Sequence, residues 1–297
     1  MGVSDARTAR VSVHPPGAAV RAAVARALAE DLEPLGDLTA ALVPATAVAG
    51  GAIVARAPGV VAGRLAAVEA FRQVDPAIEV SWLRDDGSTV SAGEPVAQVR
   101  GAAPSVLTAE RTALNFLGHL SGVATLTRAY VDAAAAGGPA RVWDTRKTTP
   151  GLRALEKAAV RAGGGVNHRG NLSEWVLLKD NHLATMGIAA AVARARERWP
   201  GRTVEVEADH LDQVVEAVAA GADLVLLDNM APDEVVRCLA VRGDARRPLL
   251  EVSGGVTLAN VAAYAATGVD LVSVGALTHS APALDLGLDL DLHAGPR

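Results

Sequence analysis

The sequence predicts an α/β fold whose parallel strands end at a common active-site edge. Six short apolar runs in the second half of the chain each stop at a polar group or a glycine; they cover residues 142–143, 176–178, 204–206, 224–227, 249–252 and 271–274. Helix-length stretches separate the runs, as in the βα units of a parallel sheet or barrel. In such folds ligands bind beyond the carboxyl ends of the strands, so the polar groups should meet at one mouth. This pattern is typical of an enzyme.

The first half of the chain is predicted to form a mostly β domain, an open sheet or half-barrel that includes helices. Helical spacing covers residues 20–32 and 65–74. Short or alternating apolar stretches that indicate strands cover residues 51–57, 59–63, 78–83 and 95–100. Near the end of the chain, residues 281–292 are apolar at alternating positions, and we expect them to return and pack on this first domain.

A long helix over residues 108–120 is predicted to follow these strands, with Ser105 or Thr108 as its N-cap. The Ser-Gly pair at 121–122 should end this helix, because a glycine commonly follows the last helical residue. A further helical stretch at 124–136 then leads into the βα series.

Length and composition indicate a globular protein of two domains. The chain has 297 residues, of which 50% are hydrophobic. Its single cysteine, Cys238, excludes an intramolecular disulfide and a multi-cysteine metal site, and we expect a buried inert thiol. No run approaches the roughly 20 apolar residues that span a bilayer, and no signal-peptide pattern opens the chain. A cytoplasmic location with no membrane partner is therefore expected.

Positive charge is concentrated between residues 141 and 179. This stretch holds eight Lys and Arg against three acidic residues, a local charge of +5 in a chain whose net charge is −5. A cationic pocket in an acidic protein suits a small polyanion better than nucleic acid, which needs a broad basic surface. Only 3% of the residues are aromatic, so platforms for base stacking are scarce as well. Nucleic acid is not expected as a partner.

The segment that follows the first of the six runs combines hydroxyls with two cations. Thr145 precedes Arg146 and Lys147, and two further threonines follow before a helix expected to open near residue 152. Arginine can bind a carboxylate through two parallel hydrogen bonds, whereas lysine supplies a movable point charge. The segment suits an anionic substrate; a solvated loop with a helix-capping threonine is the alternative.

A glycine-rich bend at residues 163–169 delivers His168 and Arg169. Three successive glycines allow backbone conformations and close approaches that other residues do not. The bend lacks the spacing of known phosphate-binding glycine motifs, so a plain helix-ending turn stays an alternative to a binding loop.

Charged residues also end the next three runs. Lys179 stands at a strand end, where a charge is costly unless it is paired or faces a cleft. An ion pair with Asp180 or Glu207 is the alternative to a substrate contact. Glu207 and Asp228 can bind Mg²⁺ or ribose hydroxyls, as can Glu205, which shares a strand face with Glu207. Ion pairing to the lysines competes with that interpretation.

Two loops of small residues follow the last two runs. One contains Ser253, Gly254 and Gly255, and the other extends from Gly275 to His279. In (β/α) barrels this region commonly binds phosphate through backbone N–H groups and a helix N-terminus. A tight turn would explain either loop alone, but two in succession favour phosphate.

Together these segments resemble the quinolinate phosphoribosyltransferase family, also called the carboxylating nicotinate-nucleotide pyrophosphorylases. The similar segments span nearly the whole chain in family order: GDLT (36–39), ERTALN (110–115), DTRKTTPGLR (144–153), GGGVNHR (163–169), LKDNH (178–182), EVE (205–207), LLDNM (226–230), EVSGGVT (251–257) and VGALTHSAPALDL (274–286). The resemblance implies an N-terminal α/β sandwich domain, residues 1–117, joined by the C-terminal tail, 281–297. It also implies an open, incomplete α/β barrel, residues 118–280, with the active site at the strand carboxyl ends.

The resemblance further implies phosphoribosyl transfer from phosphoribosyl pyrophosphate to quinolinate with decarboxylation, giving nicotinate mononucleotide, pyrophosphate and CO₂ in NAD biosynthesis, with Mg²⁺. It implies a homodimer in which Arg111 is supplied across the interface. In the remaining roles that it implies, the two carboxylates are held by Arg146, His168, Arg169 and Lys179, and Thr145 contacts substrate beside them. Lys147 faces phosphoribosyl pyrophosphate, and Glu207 and Asp228 hold ribose or metal. Phosphate is bound by Ser253–Gly255 and by the segment from Gly275 to His279. Lys147, Glu207 and Asp228 are the residues to which catalysis is assigned.

Two segments depart from the family pattern. Residues 170–174 read Gly-Asn-Leu-Ser-Glu where the family often has Leu-Gly-Leu, a variable residue and Asp, and 208–210 read Ala-Asp-His where Val-Asp-Ser or Val-Asp-Thr is common. A related protein associated with molybdenum transport and a catalytically silent phosphate or nucleotide sensor are the alternatives. Retention of Asn167 with His168 and Arg169 favours the quinolinate enzyme over the first, and the intact Lys147 and Lys179 argue against the second.

Overall fold

A computed structural model describes residues 13–293 of the chain. Residues 1–12 of the predicted first domain and 294–297 of the predicted tail lie outside the described residues. The elements before the long helix are α1 (Gly17–Leu32), β1 (Val48–Ala55), β2 (Gly59–Val60), α2 (Arg64–Val74), β3 (Glu79–Trp82), β4 (Thr89–Val90) and β5 (Pro95–Ala102). The strands and helices predicted for this half are present, and β4 was not predicted.

The last strand of the chain, β12 (Leu286–His293), lies in the first sheet. The order is β12-β1-β5-β3, and all neighbours are antiparallel. β1 pairs with β12 along its whole length, with Val48 opposite His293 and Ala55 opposite Leu286. A side chain at Gly51 would place its Cβ 2.1 Å from the carbonyl oxygen of Asp289, so this pairing requires glycine. β2 and β4 form a separate two-stranded sheet.

The long helix α3 (Ala103–Gly137) corrects two predictions. It begins at Ala103, before the expected N-caps, and it runs through residues 121–122 without a break. A Cβ at Gly122 would lie 2.1 Å from the carbonyl oxygen of Pro282, so this glycine admits a close backbone approach inside a continuous helix. The Ser121 hydroxyl accepts a hydrogen bond from the N–H of Ala62 at 2.9 Å and donates one to its carbonyl at 3.1 Å.

A second, parallel sheet holds the six strands predicted from the apolar runs. Its elements are β6 (Arg141–Trp143), α4 (Arg153–Ala162), β7 (Val176–Leu178), α5 (Asp180–Leu183), α6 (Ile188–Arg198), β8 (Val204–Ala208), α7 (Leu211–Ala219), β9 (Leu224–Asp228), α8 (Pro232–Arg242), β10 (Leu249–Ser253), α9 (Val261–Ala266), β11 (Leu271–Ser273) and α10 (Ala276–His279). The strand order is β6-β11-β10-β9-β8-β7. The first strand therefore lies beside the last, and the sheet is open between β6 and β7, as in an incomplete barrel. The predicted α/β fold class is confirmed.

The two sheets share one apolar core that includes residues from both halves of the chain. The proposed boundary between residues 117 and 118 falls inside α3, which packs near Leu120 against Gly63 and at Gly137 against Ala262. The division into two domains stays a prediction. Cys238 is buried in α8. Within residues 13–293, no helix combines the length and the hydropathy needed to cross a bilayer.

Candidate active site

A cavity of about 350 Å³ lies at the carboxyl ends of the second sheet. Its lining residues are Thr145, Arg146, Lys147, His168, Arg169, Leu177, Lys179, Glu207, Leu226, Asp228, Glu251, Ser253 and Ser273. Arg146, Arg169 and Lys179 come from three separate segments of the sequence, yet they line the same space. The fold therefore brings together most of the residues singled out from the sequence.

A buried carboxylate ties the two cation-bearing loops together. Asp144, directly after β6, accepts hydrogen bonds from the backbone N–H of His168 at 2.8 Å and from the amide of Asn167 at 2.6 Å. It also pairs with the ammonium group of Lys157, which donates a second hydrogen bond to the carbonyl of His168 at 2.8 Å. Burial raises the pKa of Asp144 and lowers the pKa of Lys157, and the attraction between the two charges opposes both shifts.

Helix α4 holds the same loops from its first turn. The Arg153 guanidinium donates to the hydroxyl of Thr148 at 3.0 Å and to the carbonyl of Gly170 at 3.2 Å. The fully buried Glu156 accepts a hydrogen bond from the backbone N–H of Thr149 at 3.1 Å. Arg146 and Arg169 are therefore presented by loops whose backbones are fixed by buried side chains.

The two arginines lack partners for part of their hydrogen-bonding capacity. Within the described chain, neither Arg146 nor Arg169 pairs with a carboxylate, and the buried Nε of each has no hydrogen-bond partner. Arg169 is only 7% exposed, and burial, followed by the nearby charge of Arg146, lowers its pKa. Both guanidinium groups line the cavity, and guanidinium groups without a carboxylate partner suit an anionic ligand.

At the ends of β7, β8 and β9 lie a lysine and two carboxylates, which form one ion pair and one side of an acidic cavity. Lys179 pairs with Glu207, which is one of the alternatives that the sequence left open. Glu207 and Asp228 line both the cationic cavity and a neighbouring cavity of about 390 Å³. Asp180, Asp209 and Glu216 add further carboxylates to that second cavity. Cationic and acidic spaces therefore meet at Glu207 and Asp228.

Of the three predicted phosphate-binding residues at the end of β10, one lines the cationic cavity. Ser253, the last residue of the strand, lines it, whereas Gly254 and Gly255 do not. Both glycines have positive φ, 87° and 60°, and a Cβ at Gly254 would lie 2.3 Å from the side-chain oxygen of Asn229. The turn after this strand requires glycine for its conformation.

The loop after β11 lies beside Lys147. A Cβ at Gly275 would come within 3.2 Å of the Lys147 side chain and 3.1 Å of the His279 ring, and the Thr278 hydroxyl donates to the carbonyl of Lys147 at 2.8 Å. Gly275 and His279 are not among the cavity-lining residues, and neither is Arg111, which is exposed on α3. The roles assigned to these three residues stay predictions.

Beneath the cavity lies a cluster whose role the sequence did not indicate. His168 Nε2 lies 3.3 Å from Glu205 and 3.7 Å from Glu251, the Trp175 indole N–H donates to Glu205 at 2.8 Å, and the Ser273 hydroxyl donates to Glu251. Glu205 is thus enclosed and hydrogen-bonded, and it lines neither of the two cavities, which argues against it as a ligand of Mg²⁺ or ribose. Glu251 stands two residues before Ser253 on β10, and residues two apart on a strand share a face. This spacing is the sequence signal that could have indicated Glu251 as a residue near the site.

Burial acts differently on the two glutamates of this cluster. It raises the pKa of Glu251 well above its usual value, and the charge of Glu205 adds to that shift. For Glu205 burial also acts to raise the pKa, but the interactions with His168 and Trp175 outweigh it and the pKa is lowered. The ligand atoms of His168, Glu205 and Glu251 lie within 4.8 Å of one another. Their existing hydrogen bonds and the nearby Arg169 and Lys179 nevertheless disfavour a metal ion there.

An open parallel sheet with a cavity at its carboxyl ends is typical of an enzyme that acts on small molecules. Residues 37–121 match the model of the quinolinate phosphoribosyl transferase N-terminal domain, and residues 123–289 match that of the C-terminal domain. The chain therefore belongs to the quinolinate phosphoribosyl transferase family, and the predicted membership is confirmed.

Individual relatives agree with this assignment. The chain is 48% identical over 279 residues to the carboxylating nicotinate-nucleotide pyrophosphorylase of Mycobacterium leprae, covering 92% of this chain and 97% of that protein. A probable enzyme of that name from Bacillus subtilis is 40% identical over 259 residues, covering 86% and 89%. The structure of the nicotinate-nucleotide pyrophosphorylase from Francisella tularensis superposes with a TM-score of 0.88 at 38% identity, covering 95% of this chain and 99% of that one.

Proposed function

We propose that this protein transfers the phosphoribosyl group of phosphoribosyl pyrophosphate to quinolinate and releases pyrophosphate, CO₂ and nicotinate mononucleotide, in the cytoplasm and as a step of NAD biosynthesis. The observation that carries the proposal is the convergence of Arg146, Arg169 and Lys179 on one cavity. Lys179 pairs with Glu207, whereas the two arginines have no carboxylate partner in the part of the chain that the structure describes. Quinolinate is a small ring with two adjacent carboxylates, and such a ligand satisfies this set of donors.

The cations are needed because both substrates are anions. Two carboxylates and several phosphate charges repel strongly at short range unless neighbouring positive charges neutralise them. Arg146 and Arg169, with His168 beside them, bind the pyridine carboxylates, and Lys147 faces the phosphates. Lys147 lies against the Gly275 loop, so backbone N–H groups of that loop are available to the same phosphates.

The acidic cavity suits Mg²⁺. Glu207 and Asp228, with Asp180 and Asp209 near them, offer hard carboxylate oxygens of the kind this ion prefers. Glu207 and Asp228 would hold the metal or the ribose hydroxyls, and a bound Mg²⁺ would supply charge neutralisation for the departing pyrophosphate. The residues therefore fit the ion that the family implies.

The residues act on two successive bonds. Glu207 and Asp228 hold the ribose and stabilise positive charge at C1 as the bond to pyrophosphate lengthens, while Lys147 stabilises the leaving phosphate charge. Arg146 and Arg169 hold the ring so that its nitrogen faces C1. Once that nitrogen carries the ribose, it is positively charged. When the adjacent carboxylate leaves as CO₂, the electron pair of the broken bond stays on the ring carbon, where the positive charge of the neighbouring nitrogen stabilises it. The carbon then takes up a proton.

The complete site in this proposal belongs to a homodimer. Arg111 is exposed on α3 and does not line the cavity of its own chain. A second copy that presents Arg111 to the cavity would add a fourth arginine or lysine for the substrate carboxylates.

Turnover tests the proposal directly. The purified protein is incubated with quinolinate, phosphoribosyl pyrophosphate and Mg²⁺, and nicotinate mononucleotide is measured by chromatography, with nicotinate and other pyridine carboxylates as competing acceptors. We expect product from quinolinate and none from nicotinate. Binding without product would support a sensor, and no binding of quinolinate would favour the alternative of a protein associated with molybdenum transport.

A further inference from the structure

The two glutamates beneath the cavity have unequal sets of hydrogen-bond donors. Glu205 faces the Trp175 indole N–H at 2.8 Å and His168 Nε2 at 3.3 Å. Glu251 accepts a hydrogen bond from the Ser273 hydroxyl on one oxygen. Its other oxygen, Oε2, is buried, lies 3.7 Å from His168 Nε2 and has no hydrogen-bond partner among the described residues. Both side chains are completely buried. His168 Nε2 can carry a single hydrogen, which cannot serve both carboxylates.

Two adjacent buried carboxylates cannot both stay ionised, because each would raise the cost of charging the other. The charged groups that face Glu251 are Glu205 from β8, His168 from the glycine-rich bend, and Lys179 at the end of β7. Lys179 is already paired with Glu207 and does not neutralise a second carboxylate. A proton on Glu251 resolves the conflict, since its hydroxyl can then donate to Glu205.

We propose that Glu205 and Glu251 share one proton, carried by Glu251, and that this acid–carboxylate pair is a positioning device for His168 beneath the substrate ring. Glu205 then accepts from Glu251, Trp175 and His168 together. The raised pKa of Glu251 agrees with a proton on that residue. The inference rests on the proposed function for its link to quinolinate, but the proton itself is a property of the protein alone.

The arrangement limits the negative charge beneath an anion-binding cavity. Two ionised glutamates would oppose the field of Arg146 and Arg169, whereas a single one leaves the cavity cationic. Packing fixes the same group sterically: the His168 ring stands edge-on to Trp143 at 5.3 Å and tilted against Trp175 at 4.9 Å. With its Nε2–H committed to Glu205, the imidazole that lines the cavity keeps one orientation.

The two glutamines that replace these residues should behave differently. In Glu251→Gln, the amide can donate to Glu205 and accept from Ser273, so the neutral form of the native residue is reproduced. In Glu205→Gln, one acceptor oxygen is replaced by an amide NH₂ group. That group faces the donors of Glu251, Trp175 and His168 and cannot accept a hydrogen bond from them. We expect the KM for quinolinate to rise by about 30-fold or more in Glu205→Gln. We expect Glu251→Gln to keep at least about a tenth of wild-type kcat/KM.

The pH profile gives a second readout that a purely structural role would not move. Wild-type kcat/KM should fall at alkaline pH as Glu251 ionises, and this decline should be absent from Glu251→Gln because glutamine does not titrate. Asp223→Asn is the matched control: it removes a carboxylate that binds Arg196 and the N–H of Val204 at the opposite end of the same sheet. It should leave both the KM for quinolinate and the alkaline decline as in wild type.

Infrared difference spectroscopy tests the proton without any substrate. At neutral pH, the wild type minus Glu251→Gln spectrum should contain the carbonyl stretch of a protonated carboxylic acid. Absence of that band would overturn the inference, as would equal losses of kcat/KM in the two glutamine variants or an unchanged alkaline decline in Glu251→Gln. If quinolinate is not a substrate but the band is present, the proposed function fails and the shared proton stands.

Discussion

Arg146 and Arg169 are the residues that we expect to determine which ligands the cavity accepts. Each has a buried Nε–H group without a hydrogen-bond partner among residues 13–293, and their guanidinium groups belong to loops whose backbones are held by Asp144 and Arg153. A planar guanidinium binds a carboxylate through two parallel hydrogen bonds, which lysine cannot reproduce. Recognition at this scale is therefore a matter of geometry as well as charge.

Replacement of Arg146 by alanine should lower kcat/KM for quinolinate by about 100-fold or more, because a desolvated charge-assisted pair is lost. Arg146→Lys should recover only part of the loss. Steady-state kinetics with both substrates provides the measurement. The control is Arg141→Ala at the opposite end of β6, where the side chain is exposed. Near-normal activity of folded Arg146→Ala would remove this residue from the site.

The buried acid Glu251 also predicts a pH dependence of stability. Its pKa is raised in the folded protein, whereas the pKa of a glutamate in the unfolded chain is about 4.3. Above that pH the unfolded chain loses the proton first, so the contribution of Glu251 to the free energy of unfolding falls as the pH rises toward the folded pKa. Glu251→Gln should therefore gain stability relative to wild type between about pH 5 and about pH 8. Urea unfolding at both pH values measures the difference, and a constant difference would contradict the assignment.

At the scale of elements, the Asp144–Lys157 pair connects β6, α4 and the glycine-rich bend. Lys157→Met should destabilise the fold by about 3–5 kcal/mol, because it leaves the Asp144 carboxylate buried without its partner charge. The double variant Asp144→Asn with Lys157→Met removes both charges and should recover most of that stability. Its KM for quinolinate should nevertheless stay raised, because the hydrogen bond from Lys157 to the carbonyl of His168 is gone.

Chemical denaturation and steady-state kinetics on the wild type, Lys157→Met and the double variant separate the effect on stability from the effect on KM. A double variant that regained both stability and wild-type KM would show that the pair only fills space. Regained stability with a raised KM would identify the pair as a positioning device for the loops.

The sequence predicted the second sheet well because a parallel strand buried on both faces appears as a short apolar run. All six runs became strands, and the polar groups after them meet at one edge. The predicted helix end at residues 121–122 was wrong because local signals do not reveal that Pro282 lies against Gly122. The cluster of Glu205 and Glu251 was missed for a similar reason: its meaning depends on contacts between strands that are distant in sequence.

At the scale of the whole molecule, Arg111 is the residue whose position has no explanation within one chain. It is exposed on α3 and absent from the cavity lining, although the sequence pattern placed it in the site. The sequence cannot supply the geometry of a second copy, since residues across a symmetric interface leave no periodic signal within the chain.

Mixed dimers test the proposed homodimer, in which Arg111 enters the cavity of the partner copy. Arg111→Ala and Arg146→Ala should each be nearly inactive, and their 1:1 mixture, after subunit exchange, should regain about one quarter of wild-type activity. The recovery arises because half of the dimers are mixed and each mixed dimer has one intact site. Turnover before and after exchange is the measurement. A mixture that stays inactive after demonstrated exchange would place Arg111 in the site of its own chain or outside it.

The most direct test of the cationic cavity is calorimetric binding of quinolinate and nicotinate to the wild-type protein. Quinolinate differs from nicotinate by the second carboxylate, and in the proposed function the carboxylates are bound by Arg146 and Arg169, which line one cavity. We expect quinolinate to bind at least about tenfold more tightly, with the advantage reduced in Arg169→Ala. Equal affinities for the two acids, or an advantage that persists unchanged in Arg169→Ala, would contradict a cavity built for a doubly acidic ring.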